Sequence, residues 1–366
     1  MNRVRVAIVG VGNCACSLVQ GGAFYRRTKS SGGLMHEFVG PYQVSDVDFV
    51  LGIDVDRRKV GKHLVEAIFA APNNTQFFET DIAPTNAKVI MGRLLDGVAA
   101  HMVEAGERGF QPASQPEATQ QDIVDALRRE RVDVLINFLP VGSQQASEFY
   151  MECALDAGVG VVNAIPVFIA SDAGWETRFR QRGLPIVGDD IKAQVGATII
   201  HRMLSSLFSA RGVTVDRTYQ LNTGGNTDFM NMLDRERLTH KKLSKTEAVQ
   251  AALAERLADE NIRIGPSEYV PWQKDNKICF LRLEGTQWGG VPMNLELRLS
   301  VEDSPNAAAC AMDAIRFCKL ARDRGEGGAL IAESAYFCKH PPQQMAEDAA
   351  VTLLDARATP QLDAAE

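Results

Sequence analysis

The sequence lacks the features of a membrane, secreted or nucleic-acid-binding protein. Its longest apolar runs have the length of a strand, well short of the ~20 residues that a membrane-spanning helix needs. Residues 1–9 do not resemble a secretory signal, because strand-forming residues begin at once. Asp and Glu number 46 against 39 Lys and Arg, which gives a net charge of −7 and disfavours nucleic acid as a partner. We therefore expect no membrane and no nucleic-acid partner.

Cysteine is present but follows no regular spacing. The seven cysteines are an odd number, scattered at positions 14, 16, 153, 279, 310, 318 and 338. This is not a disulfide framework, so we expect the cytoplasm as the compartment. The sequence also has no internal repeat. Its 366 residues, 45% of them hydrophobic, suit two domains with a sizeable core.

The opening stretch VRVAIVGVGNCACSLVQG has two interpretations. Cys14 and Cys16 could hold a metal, but the next cysteine lies far along the chain, which disfavours a cluster of ligands. Alternatively, Gly10, Gly12 and Ala15 form the pattern G-x-G-x-x-A between a β-branched strand and the start of a helix. In that pattern the glycines permit a tight turn and a close approach to a pyrophosphate, and the alanine lets the helix pack against the strand. The context favours a dinucleotide site at the free N–H groups of the helix.

The first 190 residues alternate strand-like and helix-like patterns, which predicts a parallel, doubly wound sheet. The segment VDFVLGIDVD predicts the second strand. We expect a helix over 58–69 and an irregular segment over 71–118 that wraps the cofactor or a neighbouring subunit. The pattern indicates a Rossmann-type fold of the α/β class.

The pattern changes near residue 200. The segment QVGATIIHRMLSSLFSARG predicts a helix with an apolar side, and KICFLRLEG and VPMNLELRLS predict two antiparallel strands on either side of Gly289 and Gly290. Ser304 is the expected cap of the helix that follows. We therefore predict a second domain of α/β type, residues 200–303, inserted into a Rossmann-type domain made of 1–199 and 304–366.

Acidic side chains follow two of the predicted strands. Asp54 and Asp56 end the second strand, where a carboxylate can bind the adenosine ribose and disfavour a 2′-phosphate, so NAD is preferred to NADP. Asp189 and Asp190 end a later strand, at the edge where open α/β sheets bind ligands. Each pair also has a purely structural interpretation, a solvated strand end for the first and a helix cap for the second.

Lysines recur in the second half of the chain. Lys241 and Lys245 are four residues apart on one predicted helix face, where two ammonium groups destabilise an isolated helix by roughly 0.2–0.5 kcal/mol. They could clamp a phosphate or transfer protons at a lowered pKa, or they could form a solvated basic face. Lys277 opens a predicted strand and Lys339 follows a strand-like run, and neither by itself differs from a surface lysine.

A polar loop, LNTGGNTDFMN, carries Asn222, Asn226, Asp228 and Asn231 around two glycines. Such a loop can bind sugar hydroxyls, and it can equally be only a connection between two elements.

Together these motifs resemble the myo-inositol phosphate synthases of the compact bacterial type. The matching stretches include VRVAIVGVGNCA, LPVGS, NAIPVFIASD, PIVGDDIK, QVGAT, SKT, VPMNLE and DSPN, and they span nearly the whole chain. The resemblance implies a Rossmann-like domain that binds NAD, and a second domain that holds the substrate and forms a homotetramer.

The resemblance also assigns individual residues by their places in these motifs. The implied catalytic residues are Lys241, Lys245, Lys277, Lys339, Asp190 and Asp303. The implied substrate-binding residues are Asn226, Asp228 and Asn231. The implied cofactor-binding residues are Gly10, Gly12, Asn13, Cys14, Ala15, Asp54, Pro140, Ser143, Tyr150, Asn163, Asp189 and Ala193. A monovalent or divalent cation could assist, but the sequence predicts no metal site.

The family's reaction explains why lysines gather. Tightly bound NAD⁺ takes a hydride from C5 of an open-chain hexose 6-phosphate, C6 loses a proton, the enolate closes the ring by an aldol step, and the hydride returns. Each oxyanion needs a cation and each proton transfer needs a base of tuned pKa. The resemblance implies that Lys241 accepts the proton of the C5 hydroxyl. It implies that Lys245 and Lys339 bind phosphate and enolate, and that Lys277 polarises the carbonyl.

Several positions beside the implied site differ from the usual family pattern. Ala193 in GDDIKAQ replaces a serine, NTDF replaces NMDF, and KDNKICF stands where DDRKWAY is usual. We predict glucose 6-phosphate as the substrate, which closes to the six-membered ring of myo-inositol phosphate. The alternative is fructose 6-phosphate, whose C2 carbonyl would give a five-membered cyclitol phosphate. A related branch of the family makes such a product on the route to carbocyclic nucleosides.

Overall fold

The structure is a computed structural model that describes residues 3–359, with the backbone alone for 238–242 and 266. Its strands are β1 (Val4–Val9), β2 (Val47–Asp54), β3 (Val89–Met91), β4 (Val134–Asn137), β5 (Gly160–Asn163), β6 (Pro185–Val187), β7 (Thr214–Gly224), β8 (Ile262–Tyr269), β9 (Asn276–Thr286), β10 (Pro292–Glu302) and β11 (Gly328–Ala329). Its α-helices are α1 (Asn13–Thr28), α2 (Leu64–Ala67), α3 (Ala100–Glu104), α4 (Gln120–Arg129), α5 (Gln144–Ala157), α6 (Ala173–Gln181), α7 (Ala197–Ala210), α8 (Thr227–Asn231), α9 (Thr239–Gln250), α10 (Asp303–Asp323), α11 (Ile331–Phe337) and α12 (Glu347–Ala358).

A seven-stranded sheet organises the first domain, in the order β11-β6-β5-β4-β1-β2-β3. All of its strand pairs are parallel. The run from β3 through β2, β1, β4 and β5 to β6 is the strand order of a Rossmann fold, and β4 and β5 are buried along their whole length, as expected of strands covered on both faces. The predicted doubly wound α/β fold is confirmed.

Helices cover both faces of this sheet and divide the core into two layers. One layer packs α1 and α10 against the sheet through residues such as Leu18 and Phe317. The other packs α4 and α5 through Leu127 and Met151. The helix that follows the second domain, α10, therefore returns to the first sheet. No helix in the described part of the chain is both long and apolar enough to span a membrane.

The second sheet has the order β10-β9-β7-β8, with β9 antiparallel to both of its neighbours. Gly289 and Gly290 connect β9 to β10 at φ angles of 73° and 76°, which L side chains rarely adopt. The predicted pair of antiparallel strands is therefore present. One face of this sheet packs on α7, where Phe208 meets Leu281 and Leu283.

The apolar side of α7 predicted from the sequence faces solvent. Val195, Met203 and Leu207 are 54%, 56% and 51% exposed, whereas Ile199 is half-buried. The other side of α7 packs on the sheet through Phe208. The helix therefore has apolar residues on its exposed side as well as on its buried side.

Three local predictions are wrong. The helix expected over 58–69 is limited to α2, because Gly61 takes a φ of +87° and its N–H pairs with the Val89 carbonyl oxygen, so this segment lies alongside β3 instead. Ser304 does not cap α10, which begins one residue earlier, because its hydroxyl donates to Asp275. The run before Lys339 is α11 and not a strand.

Candidate functional site

The glycine turn after β1 has the geometry that a pyrophosphate site requires. Gly10 has a φ of +85°, and a Cβ there would lie 2.5 Å from the Phe138 carbonyl oxygen, so only glycine fits. A Cβ at Gly12 would meet no atom within 4 Å, because it would project into an open cleft. Gly12 is the N-cap of α1 and no side chain caps the helix, which leaves its first N–H groups available to an anion. A dinucleotide therefore fits this turn.

The carboxylates of Asp54 and Asp56, at the end of β2, have different hydrogen-bond partners. The Asp54 carboxylate accepts hydrogen bonds from the N–H groups of Val11 and Val55, both at 2.7 Å, and lines the cleft. Asp56 is buried and forms a bidentate pair with Arg58 at 2.8 and 2.6 Å. Burial by itself raises the pKa of Asp56, but the Arg58 guanidinium outweighs it and holds the pKa below its usual value. Asp56 also lines the cleft, but it is only 2% exposed and both of its oxygens bind Arg58, so Asp54 is the acid better placed for a ribose.

The cleft extends from the carboxyl ends of the parallel strands to the second domain. Most of the residues predicted for the site contribute to its wall, namely Gly10, Gly12, Asn13, Cys14, Asp54, Pro140, Tyr150, Asp190, Ala193, Asn226, Asp228, Lys245, Lys277, Asp303 and Lys339. The fold therefore brings together residues that lie more than three hundred positions apart in the sequence.

Five predicted residues lie outside the cleft wall. Ala15 belongs to the core under α1, as its role in helix packing requires. Ser143 donates to the Pro140 carbonyl oxygen at 2.6 Å, and Asn231 donates to that of Val141 at 2.9 Å. The remaining two, Asn163 and Asp189, bond to each other at 2.7 Å.

Asp189 braces the strand ends. Its carboxylate accepts hydrogen bonds from the Asn163 amide, from the backbone N–H groups of Ile169, Ala170 and Ser171, and from the Ser171 hydroxyl. Burial nevertheless raises its pKa to about 6. Its contacts are with the fold and not with the cleft, so it supports the neighbouring Asp190. The side chain of Lys241, the remaining predicted residue, lies outside the described part of the structure.

Two lysine–aspartate pairs line the cleft. The Lys339 ammonium lies 2.7 Å from one oxygen of Asp190 and 2.6 Å from the Ile191 carbonyl oxygen. The Lys277 ammonium lies 3.1 Å from Asp303, and both side chains are largely buried. Burial by itself lowers the pKa of Lys277, but the charge and hydrogen bond of Asp303 raise it above its ordinary value. Lys277 is therefore a cation, suited to polarise an oxygen and not to accept a proton.

A third cationic group and an uncapped helix end line the same cleft. Lys245, on α9, is within 3.5 Å of the Ser267 hydroxyl, and both line the cleft. The first turn of α7, from Gly196 to Ile199, lines the same cleft and has no side-chain cap or acidic residue. The N–H groups of a helix end and a nearby ammonium form a common site for a phosphate or another anion.

One residue that the sequence did not indicate connects the two halves of the site. Asp275 is buried, and its carboxylate accepts hydrogen bonds from Asn13 of the glycine turn (3.3 Å), Asn226 (3.0 Å), Thr75 (2.8 Å) and Ser304, both hydroxyl (2.8 Å) and N–H (3.0 Å). Burial and the nearby Asp303 raise its pKa to about 6. The only local sign in the sequence was that Asp275 stands between a lysine and an asparagine just before β9.

The thiols of the opening motif are poor nucleophiles. Burial raises the pKa of both Cys14 and Cys16 to about 12, so each is protonated at neutral pH. A nucleophilic cysteine needs the thiolate, so neither thiol is suited to that role. Cys14 lines the cleft as an apolar neighbour of the turn.

The chain is similar to known proteins in both sequence and structure. Residues 196–304 fit the family model described as Myo-inositol-1-phosphate synthase. The inositol-3-phosphate synthase of Mycolicibacterium smegmatis is 53% identical over 354 residues, which cover 95% of this chain and 95% of that protein. Among solved structures, that of Ari2 is 31% identical, with a TM-score of 0.76, and covers 97% of this chain and 98% of that one.

A second solved structure, of a myo-inositol-1-phosphate synthase-related protein from Thermotoga maritima, has a TM-score of 0.82 at 22% identity and covers 97% of this chain and 98% of that one. It supports the fold. The nearly full-length match to a relative that is 53% identical shows the family as well as the fold. The cleft, which contains both a dinucleotide turn and three lysines, agrees with that family. On these grounds the chain belongs to the inositol-phosphate synthase family.

Proposed function

We propose that the protein is an NAD-dependent synthase that converts glucose 6-phosphate into myo-inositol phosphate. One observation carries the proposal. Lys245, Lys277 and Lys339 converge on a single cleft that also holds the glycine turn and Asp54. A cyclisation through oxyanions needs several cations around one small substrate, next to a hydride acceptor.

The phosphate end of the substrate fits the first turn of α7. Its uncapped N–H groups and Lys245 supply donors and positive charge, and no acidic residue lies in that turn. Ala193 lies beside it, where the usual family pattern has a serine. The chain thus binds the phosphate through backbone groups and lysine, with one hydroxyl fewer.

The reacting carbons then lie between the two lysine–aspartate pairs. Bound NAD would supply a reversible hydride acceptor, held by Gly12, the start of α1 and Asp54. Lys277 stays protonated beside Asp303 and can stabilise negative charge on a carbonyl oxygen. Lys339 and Asp190, 2.7 Å apart in the same cleft, can hold and pass a proton. The assignment of Lys241 as the first proton acceptor stays a prediction.

The alternative product, a five-membered cyclitol phosphate from fructose 6-phosphate, is not favoured. The relative that matches at 53% identity over nearly the full length is named an inositol-3-phosphate synthase. The shape of the pocket decides which carbonyl carbon is attacked. Sequence identity of 53% over nearly the full length supports a pocket like that of the relative, and therefore attack at C1 and not at C2.

A homotetramer is the assembly we propose. An exposed apolar stripe, made of Val195 just before α7 and of Met203 and Leu207 within it, gives a second copy a surface to cover. The outer strand β10 has unpaired backbone groups along one edge. We also propose the cytoplasm as its compartment, because the seven cysteines, all within the described residues, form no disulfide.

The proposal is tested by product analysis. Purified protein with NAD⁺ is given carbon-13-labelled glucose 6-phosphate or fructose 6-phosphate, with phosphohexose isomerase excluded, and the products are identified by NMR. We expect an inositol phosphate from glucose 6-phosphate, with no net rise in reduced-nicotinamide absorbance. A cyclopentane product from fructose 6-phosphate alone, or stoichiometric NADH, would overturn it.

A further inference from the structure

Ser244 makes a contact that its position in a helix does not explain. It lies fully buried in α9, and its hydroxyl donates to one carboxylate oxygen of Asp190. A helical serine commonly bonds back to a carbonyl of the preceding turn. Here a bond goes to Asp190, which lies far from α9 in the sequence, at the end of the parallel sheet.

Asp190 is a fixed reference point for that bond. Its backbone has a φ of +64°, its N–H donates to the Ile165 carbonyl oxygen at 3.1 Å, and its own carbonyl oxygen accepts from the Lys339 N–H at 2.7 Å. The second carboxylate oxygen accepts from the Lys339 ammonium at 2.7 Å. Because backbone and side chain are both held, α9 must adjust to Asp190, and not the reverse.

The bond fixes the part of α9 that carries the lysines. Farther along, α9 is anchored by apolar burial of Ala248 and Val249. Lys245 is the residue that follows Ser244 in the same helix, so the two side chains turn together. A small rotation of the helix about its axis would move Lys245 away from Ser267, whose hydroxyl it reaches at 3.5 Å.

We propose that Ser244 is a positioning residue for the cyclisation, one that sets the rotation of α9 relative to the Asp190 carboxylate through this hydrogen bond. The inference rests on the proposed function. Ser244 does not contact the sugar and transfers no proton. It holds the Asp190 carboxylate and the lysine-bearing helix at the separation that the reaction needs, and a displacement of about 1 Å can cost about 100-fold in rate.

The test compares three variants. Ser244→Ala removes the bond, Ser244→Thr keeps a hydroxyl, and Ser205→Ala is the matched control. Ser205 is a fully buried helical serine of the same domain, and its hydroxyl has no hydrogen-bond partner within the described residues. We expect Ser244→Ala to lower kcat about 10- to 100-fold, with a smaller change in KM and unchanged NAD⁺ affinity. Ser244→Thr should recover most of kcat, and Ser205→Ala should match the wild type.

A second readout does not depend on turnover. Hydrogen exchange of the α9 amides should speed up in Ser244→Ala and not in Ser205→Ala. If the wild-type protein has no cyclase activity, the proposed function is wrong. The hydrogen-exchange comparison would still show whether Ser244 holds α9 in place. The inference is overturned if Ser244→Ala keeps the wild-type kcat, or if hydrogen exchange of its α9 amides is unchanged. It is also overturned if Ser244→Thr does not restore kcat and if the stability and NAD⁺ affinity of the variants fall together with their activity.

Discussion

The pairing of Lys277 with Asp303 gives a sharp prediction about activity. Replacing Lys277 with Met removes the cation proposed to stabilise negative charge on the substrate oxygen, and we expect this to cost about 2.7–4 kcal/mol, or about 100- to 1,000-fold in kcat/KM. Replacing Asp303 with Asn removes a charge-assisted hydrogen bond that now spans 3.1 Å. Such a bond contributes about 1.5–3 kcal/mol, so we expect a loss of about 10- to 100-fold.

The two losses should not add. If Asp303 acts by orienting Lys277 and keeping it charged, Asp303→Asn has nothing left to impair once Lys277 is Met. The double variant should therefore match Lys277→Met within about threefold, where independent contributions would multiply to about 1,000-fold or more. The assay is kcat/KM for glucose 6-phosphate in a double-mutant cycle. Multiplicative losses would refute the coupling.

The same pair predicts a change in pH dependence. Asp303 is what raises the pKa of Lys277 against the effect of burial. Without that carboxylate, burial prevails and the pKa falls, so the alkaline limb of the kcat/KM profile should move to lower pH in Asp303→Asn. Lys274→Met is the matched control, because Lys274 is exposed and lies three residues before Lys277. It should leave both the rate and the profile unchanged.

Four further predictions follow from other parts of the molecule. Asp54→Ala frees the Val11 N–H and removes the ribose acceptor, so the Kd for NAD⁺ should rise about tenfold or more by calorimetry, and unchanged affinity would contradict that role. Asp275→Ala leaves three buried N–H donors unpaired at about 1 kcal/mol each, so the free energy of unfolding should fall by about 3 kcal/mol in urea, and a loss under about 1 kcal/mol would contradict the junction. Ala193→Ser should lower KM for glucose 6-phosphate about two- to tenfold, as one added hydrogen bond allows, and a higher KM would contradict a phosphate at α7. Met203→Glu places a charge on the apolar stripe and should yield smaller species in sedimentation velocity, whereas an unchanged assembly would assign the interface elsewhere.

The glycine turn and the parallel sheet were predictable because they depend on neighbours in the sequence. A β-branched strand, two glycines and a helix start lie within about twenty residues, and each has a local physical reason. The helix expected over 58–69 failed for a non-local reason. Its amide groups found partners on β3, at Val89, and a pairing between distant segments outweighs local helix propensity.

The site was harder to predict than the fold. The positions of Lys245, Lys277 and Lys339 in the sequence do not predict that their side chains line one cleft. Only the resemblance to a family assigned them to a common site. Asp275 escaped notice because its five donors come from four segments spread over the chain. Ser304 was assigned to a helix cap for the same reason, since a hydroxyl has many acceptors and the fold selects one.

The exposed stripe on α7 has a consequence for how the enzyme responds to its own concentration. The first turn of this helix lines the cleft, while Met203 and Leu207 lie on its outer side. A helix moves as a stiff unit, so a copy seated on the stripe, as we propose, would also steady the turn proposed to bind phosphate. Specific activity should then fall on dilution below the dissociation constant of the assembly, and by reciprocity saturating substrate should hold the copies together at lower protein concentration.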